Sequence, residues 1–326
     1  MKIFITGASG FVGGAFVKAF AGKHEITAMS RSEKSDAIIR QLGATPMRAS
    51  LGEVRTEQLR GFDAVIHCAA YVEEWGPWSE YWEINVHGTS ELLVAAKGAD
   101  VKRFIHISTE AALFHGQHMR DVDEHYPLSL QSPFPYSRTK AYAEKAVREA
   151  NDDEAGFCTI VLRPRFVWGE GDQTILPVMR EMVKKGQFAW IDGGRARTST
   201  TNIANLVHAM DLALTSGRGG EAYFVLDGEP VVFRDFASQM MRAVGIEPPR
   251  QEMPGWLVRA IAWIGETAWR GLSLPSRPPL TRFTANIMSR DCTLIDAKAR
   301  RELGYLPVVS REEGLRRLAV EAGTPG

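Results

Sequence analysis

The run Thr6-Gly7-Ala8-Ser9-Gly10-Phe11-Val12-Gly13 stands between an apolar segment, Lys2–Thr6, and a helical pattern that begins at Phe11. Three glycines at this spacing, at a strand-to-helix junction, each meet a separate steric demand. Gly7 lets the chain turn tightly, Gly10 lets backbone approach a pyrophosphate, and Gly13 lets helix and strand pack closely. The unpaired N–H groups at the helix start then face an anion. The chain is therefore predicted to open an α/β, Rossmann-type doubly wound parallel sheet, with a dinucleotide held by Gly7, Ser9, Gly10, Phe11, Val12 and Gly13.

The pattern that follows agrees with this. Short apolar runs at 2–6, 25–29, 45–48, 64–67, 103–107 and 158–162 alternate with helical periods at 11–21, 33–42, 79–97 and 136–150, the signal of successive βαβ units. Right-handed crossovers place the carboxyl ends of these strands along one edge, where ligands bind. The stretch 110–135 holds Pro127, Pro133 and Pro135, shows no period, and is expected to be an active-site loop. We expect a dinucleotide-binding domain at 1–165, with 200–225 (strand candidate 223–226) returning to it. A smaller mixed substrate-binding region takes 166–199 and 226–326.

Lysine plus arginine and aspartate plus glutamate balance at 39 each, without a basic block, which argues against nucleic acid as a partner. Three scattered cysteines, Cys68, Cys158 and Cys292, suit reduced thiols, and the first strand leaves no room for a signal peptide, so a cytoplasmic location is expected.

At the end of the second strand, Met29-Ser30-Arg31-Ser32 offers no carboxylate for ribose hydroxyls. Ser30 and Arg31 instead suit a 2′-phosphate, so NADP(H) is favoured, with NAD(H) as the alternative and a solvated surface arginine as the plain reading. Arg48 is placed to assist on the adenine side.

Tyr136 and Lys140 lie one turn apart on a helix and project from one face. A nearby ammonium is expected to lower the phenol's pKa and make it a proton donor and acceptor. Thr109, with Ser108, ends a strand in front of the same site and can hold a substrate oxygen. Asn85, in a preceding helix, can relay protons or simply pack there.

These segments resemble the extended short-chain dehydrogenase/reductase family. The resemblance rests on the glycine pattern, on 63–70 (Asp-Ala-Val-Ile-His-Cys-Ala-Ala), 85–89 (Asn-Val-His-Gly-Thr), Ser108-Thr109, 135–140 (Pro-Tyr-Ser-Arg-Thr-Lys) and Leu162-Arg163-Pro164, in the family's order. It implies a Thr109–Tyr136–Lys140 triad supported by Asn85, with Lys140 also touching the nicotinamide ribose. It also implies a cofactor site completed by Ser50, Leu51, Cys68, Ala69, Ala70, Ser108, Pro164 and Val167. There are two departures. The aspartate common after the family's third strand is replaced by Arg48-Ala49-Ser50-Leu51, and the acidic pair of the family's dehydratases is reduced to Glu110.

Later segments at 166–172, 202–209 and 296–305 resemble the 3β-hydroxysteroid dehydrogenase-like branch, which implies an apolar ketone or secondary alcohol as substrate. Tyr71, Trp75, Trp78, Tyr81 and Trp82 either line an apolar cleft or pack under the sheet edge. Leu257, Ile261, Ile264, Ala268 and Leu272 recur at helical spacing, so this helix is expected to pack on its own domain; its three tryptophans leave peripheral membrane contact through 254–272 open. His115, His118, Asp121, Asp123 and His125 lie on a proline-bounded loop, and no metal is expected there. The resemblance implies a homodimer formed through the helices holding Asn85 and Tyr136. The rival readings are a nucleotide-sugar epimerase with bound NAD and a non-catalytic NADP-binding redox sensor.

Overall fold

A computed structural model describes residues 1–272, 274 and 276–324. Seven strands form the main sheet: β1 (Lys2–Thr6), β2 (Glu25–Ser30), β3 (Thr45–Arg48), β4 (Ala64–His67), β5 (Arg103–Ile107), β6 (Cys158–Pro164) and β7 (Glu221–Val225). All pairings are parallel, and the order is β7-β6-β5-β4-β1-β2-β3. The chain runs outward from β1 to β3, then returns to lay β4 on the other side of β1. That reversal opens a crevice at the carboxyl ends of β1 and β4.

The strands are apolar on both faces because helices cover both. Ile3 and Ile5 point to one side, where they share a core with Phe16 and Val17 of helix α1 (Phe11–Phe20), Ile39 of α2 (Glu33–Gln41), and Leu206 and Met210 further on. Phe4 points to the other side, with Val65, Phe104, Leu92 and Leu93 of α3 (Gly88–Gly98) and Val147 of α4 (Pro135–Glu149). A single-residue alternation along β1 thus feeds two cores.

Helix α5 (Ile203–Ala213) packs on α1, and β7 forms the sheet edge beside β6. Ala299, Leu303 and Tyr305 join the same core as Ile3, so part of the region expected to be separate also belongs to the sheet's own layer. A smaller mixed sheet joins Val231–Val232, Arg197–Thr198, Cys292–Leu294 and Met119–Val122.

Three expectations need correction. The stretch 110–135 is ordered: Glu110–Leu113 is a 3₁₀ turn, and Met119–Val122 is a strand held by the distant Cys292–Leu294, a partner that local periodicity cannot reveal. The expected helix at 79–97 runs without interruption from 78 to 98, but it is not α-helical throughout: a π-helical turn at Glu83–His87 lies between Trp78–Trp82 and α3.

The third correction concerns helix α6 (Gly255–Gly271), whose inward residues are Gly255, Val258, Ala262 and Glu266. The expected inward stripe at Leu257, Ile261, Ile264, Ala268 and Leu272 lies instead on its half-exposed and exposed sides. Small residues win the inner face because the short helix Arg282–Ile287 packs closely there through the buried Ala285. Glu266 turns inward because its carboxylate accepts the Arg282 N–H at 2.6 Å. Among the described residues no helix is long and apolar enough to cross a membrane.

The glycine turn is tight in the way its sequence predicts. A Cβ on Gly13 would lie 2.5 Å from the Gly7 carbonyl oxygen, and one on Gly7, whose φ is +74°, would lie 2.8 Å from the Ala69 nitrogen. Both neighbours are backbone and cannot swing away. Gly13→Ala is therefore expected to cost about 2 kcal/mol through overpacking, read as a lower urea midpoint at unchanged slope, together with weakened dinucleotide binding.

Candidate active site

The site assembles where β1, β4 and β5 end. Thr6 anchors the first two: its hydroxyl accepts the Ala69 N–H at 3.1 Å and lies 2.7 Å from His67 Nδ1. This draws Cys68-Ala69-Ala70 across the mouth of the glycine turn. Ser9 and Gly10 are exposed there, and the helix α1 behind them starts at Gly10 without a side-chain cap. Free N–H groups, a glycine cradle that a Cβ would fill and a strand-order reversal fit a dinucleotide's pyrophosphate.

At the β2 end the predicted residues separate. Arg31 is exposed and has no ion-pair partner among the described residues. Ser30 is buried, its hydroxyl donating to the Ser32 carbonyl at 3.1 Å and lying 2.9 Å from Ser35 Oγ, so it helps to shape the loop. Arg48 donates to Asp36 at 3.1 and 2.9 Å; that carboxyl is held below its usual range first by the Ser30 hydroxyl and then by Arg48, against the effect of burial. Arg48 is thereby drawn to α2. Ser50 and Leu51 follow the β3 end, tied to the second strand by the Ala49 N–H to the Ser30 carbonyl at 3.2 Å.

Asn85 sits in the π-helical turn, a distortion that concentrates at functional sites. Its amide accepts the Tyr71 N–H at 2.7 Å and donates to the Tyr71 carbonyl at 3.0 Å and to Thr139 Oγ at 3.2 Å. It therefore clamps the loop after β4 onto α4, the helix that carries Tyr136 and Lys140.

Thr109 caps the 3₁₀ turn, accepting the Ala111 N–H at 3.2 Å and donating to Glu110 at 2.8 Å. Glu110 is buried and paired with Arg165 at 2.6 Å. Ser108, by contrast, donates to the buried Glu144 at 2.7 Å on the far side of the strand end. Of the two hydroxyls, Thr109 is the one on the Tyr136 side. Pro164 and Val167 follow on from β6, Val167 beginning a two-residue strand paired with Thr201-Asn202.

Tyr136 and Lys140 share a face of α4, but they do not pair as expected. Lys140 Nζ donates to the Ile107 carbonyl at 2.9 Å and lies 3.2 Å from His106 Nε2. Burial lowers its pKa to about 8, against the pull of Glu144. The Tyr136 phenol is pushed up, not down: desolvation dominates, the Glu110 carboxylate adds to it, and the Thr109 hydroxyl works the other way. The helical spacing predicted a phenol–ammonium pair; burial of the phenol reverses the sign, and the Glu110 carboxylate behind Thr109 reinforces it. His67 and His106, their rings 5.2 Å apart and tilted by 35°, are held neutral by burial, with Lys140 adding repulsion.

Across from Tyr136 stands Phe283, 5.8 Å away edge-to-face, with Phe134 and Phe114 behind it. The residue comes from Arg282–Ile287, far along the chain, and no local motif marks it. The expected aromatic cluster divides. Trp75 and Tyr81 border the cleft beside Phe134 and Phe283, with Trp75 under Arg270 at 5.3 Å and Tyr81 against Tyr71 at 4.7 Å. Trp78 and Trp82 face outward, Trp78 beneath Arg138 and Trp82 against Tyr142. His118 is spent on Asp291 and Arg290, and His125 on Asp123. Among the described residues no group of three His, Cys, Asp or Glu side chains is placed to hold a metal ion.

A glycine cradle at the reversal of a parallel sheet, with Thr109, Tyr136 and Lys140 at the same edge, defines an NAD(P)-dependent dehydrogenase/reductase of the extended short-chain type. More narrowly, residues 4–254 match the 3-beta hydroxysteroid dehydrogenase/isomerase family, and the chain belongs to it. It is 39% identical, over 100% of its length and 98% of the relative's, to a 4-hydroxy-2-methyl-3-oxo-4-farnesyl-3,4-dihydroquinoline-1-oxide ketoreductase of Stigmatella aurantiaca. It is 34% identical, over 98% of each chain, to a 2-alkyl-3-oxoalkanoate reductase of Stenotrophomonas maltophilia. The crystal structure of gox2253 superposes with a TM-score of 0.78 at 25% identity, covering 98% of this chain and 97% of that one.

The lowered Lys140 pKa gives a pH signature. Between about pH 8 and the ordinary lysine value of 10.5, the unfolded chain binds a proton at this side chain that the folded chain does not. Stability therefore rises with pH across that window, by up to about 1.4 kcal/mol per pH unit. Denaturant titrations at several pH values should show this rise in the wild type and lose it in Lys140→Met.

Proposed function

We propose that the chain reduces a ketone on an apolar small molecule to the secondary alcohol, with NADPH as reductant and Tyr136 as proton donor. The observation that supports this most is the setting of Tyr136. Its phenol has the Thr109 hydroxyl and Glu110 on one side and the Phe283 ring on the other, at the edge where the glycine cradle opens.

When bound, the nicotinamide supplies hydride to the carbonyl carbon. The protein's own part is to hold the carbonyl oxygen and give it a proton. Thr109 exchanges its bond to Glu110 for one to the substrate oxygen as charge develops there. Tyr136 then releases its proton to that oxygen. A phenol kept protonated by burial and by a neighbouring carboxylate enters this step in the state reduction requires. Lys140 uses one donor on Ile107 and lies against His106, leaving a donor for the nicotinamide ribose and for returning charge balance to Tyr136.

Phe283, Phe134 and Trp75 give the cleft an apolar wall, with Glu74, Glu266, Arg270 and Arg282 also lining it, in keeping with relatives whose names specify a farnesyl-bearing ring ketone and a 2-alkyl-3-oxoalkanoate. Arg31, exposed beside the cradle, reads the 2′-phosphate. In this reading two chains associate through the helical run 78–98, which holds Asn85, and through α4; Trp78, Trp82 and Val94 of that run are exposed.

Two measurements test these assignments. Tyr136→Phe should lower NADPH-dependent turnover of an apolar ketone by at least about 100-fold while leaving NADPH binding intact; a variant that keeps most of its turnover removes Tyr136 from this role. Arg31→Ala should weaken NADPH relative to NADH by roughly 10- to 100-fold, the worth of charge-assisted hydrogen bonds, with kcat on NADH unchanged. Equal loss on both nucleotides would show that Arg31 does not read the phosphate.

A further inference from the structure

Helix α6 buries its small residues and turns its large apolar ones outward. Trp256, Ile261, Trp263, Ile264 and Leu272 at its end are 66, 44, 56, 61 and 70% exposed. Thr267, on the same side, donates its hydroxyl to the Trp263 carbonyl at 2.7 Å and asks nothing of solvent. Scattered apolar residues on a surface need no explanation, but a contiguous face carrying two open indoles does.

Charge says what covers it. The helix has one acid, Glu266, which is turned inward onto the Arg282 N–H. Arg259 and Arg270 lie together along one flank, since eleven residues bring a helix back to nearly the same side. From 250 to 290 the chain has six arginines (250, 259, 270, 277, 282 and 290) and two glutamates, in a protein of no net charge. The second glutamate, Glu252, is paired with Arg234, and Arg277 is paired with Glu74 from the loop after β4. The surplus is positive, and two of these arginines flank the apolar face: Arg259, which donates to Ser289 Oγ at 3.3 Å, and Arg270, which lies over the Trp75 ring at 5.3 Å. A second copy seated there would set arginine against arginine, whereas a layer of lipid phosphates supplies the opposite charge. Tryptophan with arginine is also the composition that settles at a membrane–water boundary.

The position of the helix links this face to the site. Its inner flank, Glu266 and Arg270, borders the cleft that holds Trp75 and Phe283. We propose that the outward face of α6 docks on an anionic lipid bilayer, seating the cleft mouth at the bilayer surface. On the reductase reading above, on which this last clause rests, a long-chain apolar ketone passes to Tyr136 without crossing water.

The test uses the full chain with vesicles of equal parts phosphatidylcholine and phosphatidylglycerol, and with vesicles of phosphatidylcholine alone. Co-sedimentation with the anionic vesicles, a blue-shifted tryptophan emission, and binding weaker by about tenfold or more on phosphatidylcholine alone are expected. Trp256→Ser/Trp263→Ser should lose vesicle binding about tenfold or more and keep its turnover of a short, water-soluble ketone, which shows the fold intact. Arg259→Glu should weaken binding to the anionic vesicles alone. The proposal is overturned if the wild type stays in the supernatant with both vesicle types, or if the double variant sediments as well as the wild type. It is overturned too if the double variant instead converts a dimer to a monomer in light scattering while no form binds vesicles. Vesicle binding is read without turnover, so a chain that docks yet reduces no ketone keeps the docking face and loses the reductase reading.

Discussion

Glu144 fixes the rotation of the helix on which the chemistry rests. It follows Tyr136 and Lys140 at steps of four, so the three form one stripe along α4. Its carboxylate is fully buried, accepts the Ser108 hydroxyl at the β5 end, and is gripped by the buried Arg163 of β6 through two side-chain nitrogens. Two adjacent strands and the helix that crosses them are thereby tied at one point. A buried ion pair is a weak source of net stability, but losing one partner leaves a bare charge in the core at a cost of about 3–5 kcal/mol. A rotated or shifted α4 would have to break this pair, so the pair excludes arrangements in which Tyr136 misses the sheet edge.

The same strand supplies a second arginine for a second acid. Arg163 and Arg165 flank Pro164, and where Arg163 reaches back to Glu144, Arg165 reaches forward to Glu110. Glu110 in turn orients Thr109 and sets the electrostatics of Tyr136. The site is thus framed by two carboxylates, each neutralised by an arginine from one segment, with one behind α4 and the other beside the phenol. Asn85 completes the frame by clamping the loop after β4 onto the same helix.

Much of this was legible before any coordinates. The apolar runs that became β1, β4 and β5 keep the bounds read from the sequence, because central parallel strands are apolar on both faces. The glycine turn and the Tyr136/Lys140 stripe were readable for the same reason: each is a short-range geometry. What escaped depends on distant partners. Phe283 reaches Tyr136 from nearly 150 residues away, and the strand Met119–Val122 is completed by Cys292–Leu294. One signal was present and unused. Charged residues at 163 and 165 beside a buried apolar strand must have buried acidic partners, and Glu110 and Glu144 were available in the two segments already assigned to the site.

The inverted helix α6 shows where periodicity misleads. A three-four repeat of large apolar residues defines a face without saying which way it points, and the usual inference assumes that water lies on the other side. Here the opposing face is made of Gly255, Val258, Ala262 and a glutamate that a neighbouring helix start can satisfy, so close packing is available to the smaller set. The larger set is then left outward. That outcome leaves Trp256, Trp263 and Ile264 exposed, forgoing the burial that large apolar side chains usually gain. A three-four repeat marks a face; the neighbour at Arg282–Ile287 decides which face turns inward.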